Sequence, residues 1–276
     1  MRAANEGGAP AGDRRLPDHE PSGPAEFAAR AGAALVLGAS GSLGAAVAAM
    51  LLARGSRVAM TYRRASPAVA ELAARYPGRA RAYQLDLTDA AACARVAAAV
   101  ADDFAMVHTV VYAAGPHVPM THLSNVGAEA FRSQLEQDAI AFLTAMVPLI
   151  PLLRASQGNV VAVTTAATTR YAVRDGLSSI PKAAVEAAVR AIAAEEGRFG
   201  VRANCVGPGM LTEGMAARLI GSGDLDENAL DVARRNIPLR RFGAAADVAE
   251  AVCFLASDRA RFISGQKLDM DGGYGA

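Results

Sequence analysis

The sequence predicts an α/β fold, a single domain built on one doubly wound, parallel, seven-stranded sheet. Short apolar runs alternate with longer helix-like stretches from residue 33 onward, the signature of repeated βαβ units. The first apolar run ends directly in a glycine-spaced turn, Gly38-Ala39-Ser40-Gly41-Ser42-Leu43-Gly44, that opens a helix. With 276 residues, 52% hydrophobic and 20% charged, the chain has the apolar content to cover both faces of such a sheet.

Ala34-Leu35-Val36-Leu37 is a short apolar run closed by glycine, as a buried parallel strand requires. Helix 43–54 then leads to strand 57–62, helix 66–76 to strand 80–85, and helix 89–101 to strand 107–112. Helix 125–153 leads to strand 159–164, helix 180–198 to strand 201–206, and helix 244–256 to a last strand near 266–270. Sequential strands joined through helices imply right-handed crossovers and helices on both faces. No internal repeat is visible and no linker divides residues 33–276. Residues 1–32 scatter Gly, Pro and acids around Arg14-Arg15 with no apolar run behind them, and read as a disordered tail without a signal peptide.

A net charge of +1 provides no field to attract nucleic acid or an anionic membrane. Cys93, Cys205 and Cys253 are odd in number and far apart, so they read as reduced core thiols of a cytoplasmic protein, with neither a disulfide nor a metal site. The most apolar stretch, Phe142 to Leu153, is short and carries Pro148 and Pro151, so no membrane span is expected.

The glycines of 38–44 let the backbone turn tightly and admit a pyrophosphate to the helix N-terminus, where free N–H groups point outward. A tight strand-to-helix turn alone would use the same residues, but the position after the first strand favours dinucleotide binding. The second strand ends in Tyr62-Arg63-Arg64. Arginine there suits a 2′-phosphate, where NAD would call for a carboxylate, so the expected cofactor is NADP(H).

Further motifs are Asp86-Leu87-Thr88, Tyr112-Ala113-Ala114-Gly115, Ser178-Ser179-Ile180-Pro181-Lys182, Asn204-Cys205-Val206-Gly207-Pro208-Gly209 and the closing Asp271-Gly272-Gly273. Over about residues 33–276 the chain resembles the short-chain dehydrogenase/reductase family, which implies a Rossmann-like fold. The resemblance implies that Asp86 and Leu87 flank the adenine and that Ala113, Ala114 and Gly115 pass under the ribose. It places Pro208 and Gly209 over the nicotinamide and Thr212 at the carboxamide. It also implies a variable substrate lid at 210–242, where Met210, Leu211, Met215, Leu219 and Ile220 favour an apolar substrate and Gly214, Gly221 and Gly223 permit movement.

The family's catalytic Tyr-x-x-x-Lys becomes Ser178-x-x-x-Lys182, its serine becomes Thr165 and its asparagine Asp138. By resemblance Lys182 holds the nicotinamide ribose, Thr165 bonds the substrate oxygen, and Asp138 holds a relay water or pairs with Lys182. A phenol near pKa 10 can be lowered toward working pH by a cation, whereas an aliphatic hydroxyl is a far poorer acid. Tyr171 and Asp175, in the loop expected to line the cleft, are the local substitute acids.

The 2,4-dienoyl-CoA reductases of the same family also carry Ser-x-x-x-Lys. The sequence therefore favours an NADPH-dependent reduction of an activated C=C in an apolar enoyl, dienoyl or enone substrate, thioester-linked ones included. The alternatives are a carbonyl reductase with a relocated acid, a non-redox cyclase, dehydratase or isomerase, and a cofactor-sensing protein. The resemblance further implies a homodimer or homotetramer assembled through helices 125–153 and 182–198.

Overall fold

A computed structural model describes residues 25–116, 118–213 and 227–276. Its strands are β1 (Ala33–Leu37), β2 (Arg57–Tyr62), β3 (Ala80–Gln84), β4 (Val107–Tyr112), β5 (Asn159–Val163), β6 (Arg202–Pro208) and β7 (Lys267–Met270). They form one parallel sheet in the order β3-β2-β1-β4-β5-β6-β7. The chain leaves one edge of the sheet after β3 and resumes beside β1, so the switch point lies between β1 and β4. A crevice opens there beyond the carboxyl ends of the strands. The register pairs Leu37 with Tyr112, which brings Gly38 and Ala113 side by side at its floor.

Helices cover both faces. α1 (Ser42–Ala53), α2 (Pro67–Arg75) and, near the end of the chain, α8 (Ala245–Ala256) pack Val47, Leu51, Leu72 and Val252 against Val36, Met60 and Val161. α3 (Ala90–Phe104), α5 (Ala141–Ser156) and α6 (Gly176–Glu196) pack Val100, Phe142, Leu149 and Val189 against Leu35, Val110 and Val160. Burial on both faces explains why β1, Val110–Tyr112 of β4 and Val160–Val163 of β5 are apolar without alternation.

Order begins earlier than residue 33. Phe27 is 1% exposed and stacks on His108 with ring centroids 6.2 Å apart. Glu26 pairs with Arg259 at 2.7 Å and with Arg54 at 3.6 Å. A single aromatic in a polar flank supplies no periodic signal, so composition alone assigned it to the tail.

Burial lowers the pKa of His108 to about 4. The unfolded chain then binds the proton first as pH falls from about 6.5 toward 4, so stability drops across that window and is complete above it. The thermal midpoint should fall over this range and the fall should be shallower in His108→Asn, which melting curves between pH 4 and 7 can read.

The expected helix 125–153 is four pieces. A 3-10 turn at Leu123–Asn125 is followed by α4 (Ala128–Leu135), a π-helical turn at Glu136–Ile140, and α5. The run Ala128–Ser156 is long and apolar enough, by length and composition, to cross a membrane, which corrects the expectation that no segment reaches that measure. Its inner face, through Phe142, Met146 and Leu153, belongs to the core.

α6 starts at Gly176, not at 180, so Pro181 sits inside the helix. Leu123 packs so closely over Gly176 that a Cβ there would stand 2.5 Å from its Cδ2. The earlier start places Ser178 in the first turn, with Asp175 as the N-cap residue. Of the expected lid, α7 (Glu227–Asn236) is described, whereas Gly214, Met215, Leu219, Ile220, Gly221 and Gly223 lie outside the described residues.

Candidate active site

The cleft at the switch point is lined by the turn after β1, the ends of β2 and β3, the turn after β4 and the π-helical turn. Gly38, Ser40, Gly41, Tyr62, Arg63, Asp86, Leu87, Ala113, Ala114 and Gly115 all border it. Gly38 has φ +85°, and a Cβ there would stand 2.7 Å from Ala114 Cα. A Cβ on Gly44 would stand 2.3 Å from the Gly38 carbonyl oxygen, so this glycine lets α1 close on the turn.

Gly41 differs from both. A Cβ there would meet nothing nearer than 3.6 Å, so the fold itself does not demand glycine. What glycine leaves at position 41 is room for a ligand against the backbone. Gly41 caps α1 without a side-chain hydrogen bond, and the first turn carries no acid. Ser42 is the first residue of α1, and Leu43 packs against the core. Free N–H groups, a positive helix end and no competing carboxylate fit a pyrophosphate.

Asp86 accepts hydrogen bonds from the Thr88 N–H (3.0 Å) and hydroxyl (2.8 Å). These bonds hold its carboxyl below the usual range, with a smaller contribution from the nearby Arg63 guanidinium. Asp89, rather than Asp86, caps α3 through the Ala92 N–H at 3.0 Å. Arg63 also borders a second cleft with Thr88 and Arg132. Arg64 is exposed. No acid stands at the end of β2.

Lys182 stands against Ala114 and Gly115, which line the cleft. Its Nζ donates to Asp138 Oδ1 at 2.9 Å and to the Ala114 carbonyl at 3.1 Å. It stands 3.5 Å from the position a Cβ would take on Gly115 and 5.4 Å from the Tyr112 ring centroid. The side chains of Lys182 and Asp138 are 12% and 5% exposed, so the ion pair is largely buried.

Tyr112 closes the group by donating its hydroxyl to the Asp138 carbonyl at 2.9 Å. Burial, with the Asp138 charge beside it, pushes its phenol well above the ordinary value, so it stays a hydrogen-bond donor. The π-helical turn sets Asp138 with both its carbonyl and its carboxylate toward these partners. Of the two expected roles for Asp138, the geometry supplies direct pairing with Lys182. In the sequence Tyr112 stood out only as the first residue of the motif Tyr112-Ala113-Ala114-Gly115. The available signal was one phenol closing the run Val110-Val111-Tyr112 at the carboxyl end of the strand.

The start of α6 holds a second group. Ser178 lies one turn before Lys182, so both side chains share a helix face. The Asp175 carboxyl is half-buried, and burial lifts its pKa to about 6. Hydrogen bonding with the Ser178 side chain draws it part of the way back. The Tyr171 hydroxyl lies 3.1 Å from where a Cβ on Gly176 would be, although the residue is largely exposed. The loop before the helix carries Arg174 at φ +73°, a left-handed backbone that costs a non-glycine residue energy.

Thr165 lies two residues beyond β5 and caps the 3-10 turn Ala166–Thr168, its hydroxyl accepting the Ala167 N–H at 3.2 Å and leaving its own proton free to donate. Its loop is tied to α6 through Thr168, which donates to Glu186 at 2.8 Å. Behind it lies a cluster that sequence reading missed, in which Lys267 pairs with Asp269 at 2.9 Å and with Glu186 at 3.4 Å. At the far end, Pro208 closes β6 and the Gly209 N–H bonds the Met270 carbonyl at 3.1 Å. The Thr212 hydroxyl donates to Glu213 at 2.8 Å. Among the described residues no group of His, Cys, Asp and Glu could hold a metal ion.

The family model described as enoyl-(acyl carrier protein) reductase matches residues 38–275. L-fucose dehydrogenase of Oryctolagus cuniculus is 32% identical over 62% of this chain, and the match spans 60% of that relative, less than two thirds of its length. D-threitol dehydrogenase of Mycolicibacterium smegmatis is 32% identical over 87% of this chain and 92% of its own. Among solved structures, a short-chain type dehydrogenase/reductase from Mycobacterium ulcerans superposes with a TM-score of 0.81 at 28% identity, covering 89% of this chain and 90% of that one.

Proposed function

The chain belongs to the short-chain dehydrogenase/reductase family, and on that premise we propose that it is an NADP(H)-dependent oxidoreductase interconverting an alcohol and its carbonyl compound. The family works with a nicotinamide cofactor, which when bound exchanges a hydride with the substrate carbon. The observation that carries the proposal is Lys182, fixed between Asp138 and the carbonyl of Ala114, a residue that lines the cleft with Gly38, Gly41 and Arg63. In this reading Lys182 holds the nicotinamide ribose, the N-terminus of α1 holds the pyrophosphate, and Thr165 donates a hydrogen bond to the substrate oxygen.

The choice of alcohol chemistry over C=C reduction rests on two supports. Relatives that match a large share of the chain are named as dehydrogenases of L-fucose and D-threitol. Asp175, at the start of the helix that carries Lys182, has its carboxyl lifted by burial to about 6, a value suited to proton exchange with an alcohol. The second reading, reduction of an activated C=C, is favoured by Ser178 in the tyrosine position and by the description of the matching family. NADP⁺ with D-threitol or L-fucose, and NADPH with an enone or an enoyl thioester, separate the two. Turnover in the alcohol arm is expected. Turnover confined to the enone and enoyl arm contradicts the first reading and supports the second.

NADP(H) is preferred on the strength of Arg63 at the cleft and the missing acid after β2. A charge-assisted bond of about 1.5–3 kcal/mol predicts that Arg63→Ala weakens NADPH binding roughly 10- to 100-fold. NADH binding should change little, as isothermal titration of both cofactors would read. We also assign Ile140, Leu143 and Val147, exposed apolar residues along one helix face, to a contact between copies of the chain as a homodimer or homotetramer. Light scattering of the eluting protein tests that assignment.

A further inference from the structure

A lysine ammonium has three donors. Among the described residues two of those on Lys182 are taken, by Asp138 Oδ1 at 2.9 Å and by the Ala114 carbonyl at 3.1 Å, which leaves one for a ligand. How firmly that donor is placed depends on Asp138, which lies in the π-helical turn Glu136–Ile140 between α4 and α5. Such turns are rare interruptions of a helix and cluster at functional sites.

Tyr112 tethers this turn to the sheet. It ends β4 in register with Leu37 of β1 and Ala162 of β5, so its backbone sits between two neighbouring strands. Its side chain is fully buried, and its ring packs edge-on against Phe142 of α5 with centroids 5.1 Å apart. The hydroxyl donates to the Asp138 carbonyl at 2.9 Å and lies 3.5 Å from Oδ1. The ring centroid stands 5.4 Å from Lys182 Nζ. One phenol on a central strand therefore meets the main chain of Asp138, its carboxylate and the cation paired with it. Phenylalanine would keep the ring contacts and lose both oxygen contacts.

We propose that Tyr112 is a positioning residue for the cofactor: through Asp138 it fixes Lys182, whose remaining donor holds the ribose of the nicotinamide half. The inference rests on the reading of Lys182 as the ribose anchor. Tyr112 is buried and acts on the cofactor only through this pair. The nicotinamide ribose is common to both dinucleotides, so Tyr112 acts on NADPH and NADH equally, whereas Arg63 discriminates between them.

The chain has two lysines, Lys182 and Lys267, so protein carrying ¹⁵N-labelled lysine gives two side-chain signals, which Lys182→Ala assigns. Tyr112→Phe removes the hydroxyl and keeps the ring. In this variant the Lys182 signal should shift and its hydrogens should exchange faster with water. Lys267, paired with Asp269 and Glu186, is the internal control and should stay unchanged. Isothermal titration should show NADPH and NADH both binding about 3- to 10-fold more weakly to Tyr112→Phe, the scale of one lost hydrogen bond. In the Lys182→Ala background the same change should alter neither affinity. Parent-like affinity in Tyr112→Phe, an equal loss with and without Lys182, or a Lys182 signal that ignores the change overturns the positioning role while leaving the ribose anchor in place. In the parent protein, Lys182 hydrogens that exchange as fast as those of free lysine overturn it as well, whether or not Tyr112→Phe folds. Binding of neither dinucleotide by the parent overturns the ribose reading and the positioning role together.

Discussion

Asp138→Ala is expected to be the most destabilising single change near the site. It removes one partner of an ion pair whose side chains are 12% and 5% exposed, and strands the Lys182 ammonium against the Ala114 carbonyl. Breaking a buried pair in this way costs about 3–5 kcal/mol, which for a chain of this size lowers the melting temperature by roughly 10 °C. Asp138→Asn keeps an oxygen acceptor for Lys182 in the same shape and should lose clearly less, so the pair of variants separates charge from packing. A melting temperature within about 2 °C of the parent for Asp138→Ala would mean that the pair contributes under ~1 kcal/mol and that Lys182 is held by other means.

The second large effect concerns the turn after β1. Gly44→Ala places a methyl 2.3 Å from the Gly38 carbonyl oxygen and 2.9 Å from Ala39 Cα, neither of which can yield without moving α1 or the turn. Overpacking of this kind costs about 1–3 kcal/mol, and the displaced helix end no longer presents its N–H groups to a pyrophosphate. Gly41→Ala is the informative contrast, because its methyl meets nothing within 3.5 Å. It should melt close to the parent and still lose dinucleotide affinity, since the methyl fills the space a phosphate needs. Calorimetric melting and cofactor titration on both variants check this. If Gly41→Ala bound the cofactor as well as the parent does, the phosphate would not pass over that residue.

The sheet was legible in the sequence because parallel strands covered on both faces are written as apolar runs. β1, β2 and β4 fall where those runs do, and the glycine turn marks the switch point. The residues expected around the adenine and ribose, from Gly38 to Gly115, border one cleft for the same reason, since each follows the carboxyl end of a strand. The start of α6 was less legible. Pro181 suits a first turn, yet the helix runs five residues further back through Gly176, where only the close packing of Leu123 reveals why glycine is needed.

The role of Tyr112 and the Lys267–Glu186–Asp269 cluster depend on contacts between residues distant in sequence, which no local pattern encodes. Phe27 was lost for a related reason, as its partner His108 lies on β4. The chemistry is the least legible part. Its one group visible in the structure, Tyr112 and Lys182 both bonded to Asp138, joins three residues far apart in the chain.

The central claim is that this cleft holds a phosphorylated nicotinamide dinucleotide over Lys182. The most direct measurement is a titration of the purified protein with NADPH and NADH, followed by cofactor fluorescence and thermal stabilisation, with Lys182→Ala alongside; the chain has no Trp to mask the signal. The account predicts that NADPH binds more tightly than NADH, raises the melting temperature, and binds more weakly to Lys182→Ala. Binding of neither cofactor, or NADPH binding unaffected by Lys182→Ala, would contradict it.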